Sequence, residues 1–281
     1  MMKNSIAVLL LSIVYSMSLY GGGWTQGKGK GYFKFGQNVI HGNQFFNGEG
    51  KTKQITTTGI YQTTVYGEYG ITDRLDGIFY APLFSRITLN KIQFSSGDTQ
   101  EGDEYNGIGD AQLGVKYGLL KDSKIALSAS LILGLPLGNP TGGETELLQT
   151  GDGEFNQMLM IDVGFSINKH FYGNITVGFN HRTEGFSEEF RWNVELGYYQ
   201  DKKFLIALKS FNVHSFKNGE PEGSAGNGIF SNNIEFNSIG PEISYWLADK
   251  MGVSASYQTA FSGSLILAEP AYALGIFYQL H

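Results

Sequence analysis

Gly107-Ile108-Gly109-Asp110-Ala111-Gln112-Leu113-Gly114-Val115-Lys116-Tyr117-Gly118-Leu119 carries Ala, Leu, Val, Tyr and Leu at its odd positions from 111 onward and Asp, Gln, Gly, Lys and Gly at its even positions from 110. This strict period of two is the pattern of a strand whose successive side chains point to opposite faces. After the polar residues 121–124 it restarts. Ile125, Leu127, Ala129, Leu131, Leu133, Leu135 and Leu137 share one face, with Ala126, Ser128, Ser130, Ile132 and Gly134 on the other. One face is therefore apolar along both strands. Each is ~10 residues or more, the length a tilted strand needs to cross a bilayer. The pair reads as a transmembrane β-hairpin.

Working outward, the same alternation predicts strands at residues 29–39, 57–71, 77–89, 156–167, 171–182, 190–198, 204–213, 234–247, 252–261 and 272–280. The connections alternate between short turns and long polar loops, as periplasmic turns and external loops do in outer-membrane barrels. A soluble sandwich has no reason to keep every second connection short. The expected fold is an all-β, up-and-down antiparallel transmembrane barrel of about twelve strands.

Charge follows the same division. Lys34, Glu68, Asp110, Lys116, Asp162, Arg182, Arg191, Glu195, Lys209 and Glu242 all fall on the polar face. A basic charge facing lipid at mid-depth costs ~2 to 4 kcal/mol, so a bilayer enforces this separation. The third strand is aromatic on both faces and its phase stays open; Arg86 is assigned to the even, inward face on electrostatic grounds. Glu68, Asp110, Lys116, Asp162, Arg182, Arg191, Glu195 and Lys209 are the expected lumen-lining residues. They either face a path for solute or form a salt-bridged interior, since buried charges need partners. Inward Tyr66, Tyr80, Phe84, Met158, Met160 and Tyr199 would suit a moderately apolar ligand.

Composition agrees with a membrane wall. Charged residues are 16% of the 281, against ~25% in soluble domains, while aromatics reach 14% and glycines number 39. The net charge of -6 speaks against a nucleic-acid partner. Lys3, the apolar run 6–15 and small residues at 16–23 predict a cleaved secretory signal over residues 1–20, followed by a barrel over 21–281. The absence of cysteine removes disulfides, thiolate metal sites and a cysteine-linked lipid anchor. No phosphate-binding loop, zinc spacing or dinucleotide fingerprint occurs, and no metal, cofactor or catalytic residue is assigned. One enzymatic alternative comes from His181 and Thr183, which share the apolar phase of Phe179 and could act as base and hydroxyl nucleophile of a barrel lipid hydrolase. Here threonine replaces the serine of such pairs, and Asn193, the nearest third member, falls on the lumen phase.

With the strands placed, the chain resembles the outer-membrane barrels of the meta-pathway phenol-degradation family, relatives of the long-chain fatty-acid channel. The resemblance rests on Gly107-Ile-Gly-Asp110, Gly114-Val-Lys-Tyr117, and the turns Tyr69-Gly-Ile-Thr-Asp-Arg74 and Tyr245-Trp-Leu-Ala-Asp-Lys250. It implies an outer-membrane channel passing small hydrophobic or aromatic solutes by passive diffusion, with lipid and such solutes as its partners. Two features depart from the resemblance: residues 21–28 are short for an N-terminal hatch, and the chain ends Tyr278-Gln-Leu-His281 rather than on an aromatic residue. A non-conducting structural or adhesive barrel is the remaining alternative.

Overall fold

The computed structural model describes residues 22–93, 99–121, 124–200, 203–220 and 231–281; the expected leader, residues 1–20, lies outside them. Twelve strands form the wall: β1 (Gly31–Phe46), β2 (Thr52–Gly70), β3 (Leu75–Leu89), β4 (Ala111–Lys121), β5 (Ile125–Leu135), β6 (Asn156–Ser166), β7 (Phe171–Arg182), β8 (Glu189–Gln200), β9 (Phe204–Ser215), β10 (Glu235–Ala248), β11 (Met251–Ser264) and β12 (Ala271–Leu280). Each pairs antiparallel with its neighbours in sequence, and β1 pairs with both β2 and β12, so the sheet closes on itself. Closure gives every strand two hydrogen-bonding neighbours, which an apolar solvent requires.

The inside and outside follow the sequence alternation. Leu113, Val115, Tyr117, Leu131, Leu159, Ile175, Leu208, Ile243 and Leu274 are exposed on the outer surface, whereas Lys116, Ser128, Ser130, Asp162 and Thr176 are buried within the barrel. Tyr69, Tyr117, Phe171, Tyr245 and Tyr278 stand outward near the short turns, and Tyr61, Phe179, Phe190, Tyr257 and Phe261 lie toward the long loops. This is a lipid-facing belt flanked by aromatic girdles. At the 167–170 turn, Asn168 Oδ1 accepts from the backbone N–H groups of His170 and Phe171 at 2.8 and 3.0 Å, a side-chain turn that explains why the chain reverses there.

Three expectations change. The polar loop expected over residues 40–54 is mostly strand, because β1 and β2 continue their alternation beyond the membrane through Ile40 and Phe45, leaving only residues 47–51 as the connection. In β3, the register against β2 shifts between Thr63 and Thr64, so that Leu83 and Phe84 both point outward. Such a bulge flips the phase of everything beyond it. Ile78 and Tyr80 are therefore buried before the bulge, and Ser85, Ile87 and Leu89 after it. Consequently Phe84 and Arg86 face outward rather than into the lumen, and Arg86 is half-exposed in an ion pair with Glu104 on the neighbouring short strand Asp103–Gly107.

Candidate functional site

The barrel interior is built in three levels. At the periplasmic end the chain before β1 folds back inside. Gly23 N–H donates to Asn174 Oδ1 at 3.0 Å, Gln26 N–H to Asp76 Oδ2 at 2.9 Å, and Gln26 Nε2 to Glu68 Oε2 at 2.7 Å. Trp24 lies flush on Gly164, where a Cβ would come within 2.3 Å of the indole. Gly70 is similarly confined, since its Cβ would meet the Gly27 carbonyl at 1.9 Å. These bare backbone positions make room for the segment.

Above it lie two ion networks. On one side Lys116, fully buried, sits 3.2 Å from Glu68 and 3.8 Å from Asp76, and the Tyr66 hydroxyl donates to Glu68. On the other, Glu242 bridges Lys34 at 3.1 Å and Lys209 at 2.8 Å, while Lys209 also faces Glu195 at 3.4 Å and Tyr172 donates to Glu195. Asp162 accepts from Thr176 Oγ1 at 2.6 Å. Strand pairing produces these groupings: Glu195 is opposite Lys209, and Asp76 is opposite Lys116. Buried ions held this way are a liability if one partner is lost, because the survivor keeps its desolvation cost.

Between the N-terminal segment and the wall strands β1, β2, β7–β10 and β12 is a cavity of about 340 Å³. Trp24, Tyr32, Tyr172, Trp246 and Phe277 give it aromatic surfaces, Glu195, Lys209 and Glu242 place charge at its inner end, and Glu68, opposite Tyr32, adds a carboxylate nearer the rim. Leu205 and Gln279, beside the short turns, line its other end and put it next to the periplasmic rim. Tyr32 stacks on Phe277 with ring centres 5.7 Å apart, and Trp246 meets Phe277 edge-on at 5.1 Å. Apolar faces with a few convergent polar groups are the usual make-up of a small-molecule site.

The extracellular level is held by arginines. Arg182, buried, contacts Glu154, Glu189 at 2.8 Å and Asp152 at 3.5 Å, and lies 4.4 Å over the Phe186 ring. Arg191 pairs with Glu189 at 2.6 Å. Asp110 sits between the short strand Asp103–Gly107 and β4, where its carboxylate accepts from Gly138 and Asp152 N–H at 2.8 and 2.9 Å. Burial, with the Asp152 charge beside it, pushes the Asp110 carboxyl up to about 7. Burial likewise raises Glu154 to about 8, against the pull of Arg182.

The structure thus places Glu68, Lys116, Asp162, Arg182 and Lys209 fully inside and Asp110, Arg191 and Glu195 partly so. It distributes them over separate levels rather than in one ring. Sequence reading missed Asp76, which lies one residue before the predicted third strand, and Glu154 and Asp152, which lie in a loop where period two says nothing. Glu189 was placed in a loop one residue before the predicted strand. Adding these residues tilts a balance of charge that looked even: among the described residues the buried charges are six acidic, Glu68, Asp76, Glu154, Asp162, Glu189 and Glu242, against four basic, Lys34, Lys116, Arg182 and Lys209. His181 lies outward as expected, but it contacts Glu188 Oε1 at 2.9 Å, and the Thr183 hydroxyl accepts from Phe155 N–H at 2.8 Å.

No family model and no curated protein matches the sequence. Solved structures do match the fold. A COG4313 outer membrane channel from Pseudomonas putida F1 aligns with TM-score 0.67 at 13% identity, covering 92% of this chain and 98% of that one. The NanC porin aligns with TM-score 0.51 at 10% identity over 87% of this chain and 100% of its own, and the KdgM porin with 0.50 at 6% over 89% and 99%. With its closed wall, lipid-facing belt and these neighbours, the chain has the architecture of a Gram-negative outer-membrane β-barrel.

Proposed function

We propose that the protein is an outer-membrane channel for small hydrophobic or aromatic solutes, which pass by diffusion through the lumen. The observation that carries this reading is the cavity beside the N-terminal segment, where five aromatic side chains surround a volume of about 340 Å³ and Glu68, Glu195, Lys209 and Glu242 supply its charged groups. A monocyclic solute fits such a space, stacking on Trp24 or Trp246 and directing a polar substituent to Glu195, Lys209 or Glu242. The similarity to an outer membrane channel at full length supports the channel reading, and the sequence motifs support a place near the meta-pathway phenol-degradation barrels. No charge transfer or bond-making is required of the lining residues.

The test is uptake of radiolabelled benzyl alcohol by porin-deficient cells, whose lipopolysaccharide leaflet slows apolar solutes. Expression of the protein should raise the rate several-fold, and Trp246→Ala with Tyr32→Ala should remove most of the gain. Equal uptake with and without the protein would end the proposal.

A further inference from the structure

Above the cavity the lumen changes character. Ile40, Ile60, Ile87, Leu89, Phe211, Phe236 and Ala271 project inward from six strands and pack into one buried apolar cluster. Wall residues alone do not complete it. Ile266 and Leu267 enter from the loop before β12, where they pair with Phe46 and Phe45 of β1 and are fully buried. Leu148 enters from the loop 138–155 and is likewise fully buried. The first intrusion is fastened to the wall by a backbone ladder. The second is fastened at its ends and flanks, by Asp110 to Gly138 and Asp152, by Tyr105 OH to Asn139 Nδ2 at 2.7 Å, by Asp103 to Thr145 at 2.6 Å, and by Arg182 to Glu154.

On β9, Phe211 of the cluster is the next inward residue beyond Lys209, which lines the cavity. Cavity and cluster are therefore adjacent levels of one path, and the cavity reaches the periplasmic rim at Leu205 and Gln279. We infer that Leu148 is the stopper of this channel: its side chain completes an apolar seal at the extracellular end of the lumen, and departure of the loop 138–155 opens the path. The inference rests on the channel reading and names the residue that governs it. An apolar constriction excludes ions because it offers nothing in exchange for their hydration, and it empties of water when narrow. An apolar solute meets no such penalty. The seal thus makes the closed barrel tight to ions, and the path that opens when the loop leaves keeps an apolar lining suited to the solutes proposed above.

The experiment is planar-bilayer recording in KCl with the full chain, comparing wild type, Leu148→Ser and Leu148→Ala, with Glu144→Ala on the exposed part of the same loop as control. Heat-modifiable migration establishes that each variant is a folded barrel; Leu148→Ala stands in if the serine variant fails to fold. Leu148→Ser should raise ionic open probability at least ten-fold and Glu144→Ala should leave it unchanged. Openings in wild type with no increase in the Leu148 variants overturn the stopper and leave the channel reading standing. A silent wild type with conducting Leu148 variants supports the seal, and silence in all of them overturns it; the channel reading itself stands or falls with the uptake of benzyl alcohol.

Discussion

At the scale of single residues, the interior is a set of ionic bargains that each depend on every member. Lys116 is fully buried with Glu68 and Asp76 as its counter-ions. Replacing it with methionine preserves most of the volume but leaves two carboxylates facing each other without a cation, a change that costs about 3 to 5 kcal/mol. The midpoint of urea-induced unfolding in lipid vesicles should fall accordingly; a loss below about 1 kcal/mol would mean that the pair is screened from its surroundings in some other way. The inward position of Lys116 was legible in the sequence, because a basic residue amid Leu113, Val115 and Tyr117 has one tolerable side of a membrane strand. Its partner Asp76 was not, since it lies one residue before the predicted third strand, and a strand aromatic on both faces gives alternation nothing by which to extend it.

Elements divide in the same way between wall and loop. Strand boundaries were readable to within a few residues for most of the chain, because lipid on one face and a polar lumen on the other impose a period that few sequences satisfy by chance. The loop 138–155 carries no such period, and its docking into the mouth is set by contacts with residues distant in sequence. Asp110 is one of them, and it gives that docking a pH dependence. Its carboxyl is raised to about 7 in the docked state, above the free value of about 4. The docked loop is therefore favoured with the carboxyl protonated: this contribution is complete below about pH 4 and is lost as pH rises through 7. Asp152, Glu154 and Glu189 face the same region and oppose deprotonation, while Arg182 and Arg191 favour it. Amide exchange across residues 138–155, corrected for its intrinsic pH dependence, should accelerate between pH 5 and pH 8. In Asp110→Asn that acceleration should flatten; an unchanged profile would assign the response to Glu154.

For the whole molecule, the sign of the lumen decides which ions pass once the barrel opens. Among the described residues, six buried acidic residues against four basic ones, with partly buried Asp110, Asp152 and Glu195 outnumbering Arg191, leave an acidic interior. Fixed charge along a pore concentrates the opposite ion. In a KCl gradient the reversal potential of the open channel should report a preference for potassium over chloride, weaker at pH 5 than at pH 8 as Asp110 and Glu154 take up protons. A chloride preference would show that the partly exposed basic groups dominate the path. The sequence by itself determined the barrel, its strand count, its lipid-facing side and the inward placement of most charges, because a bilayer tests every residue of a spanning strand separately and the answer is written with period two. Only the tertiary structure decided what fills the lumen. The N-terminal segment, the Arg182 cluster and Leu148 are positioned by partners brought alongside through closure of the sheet, and such pairings across a barrel leave no periodic mark on the chain.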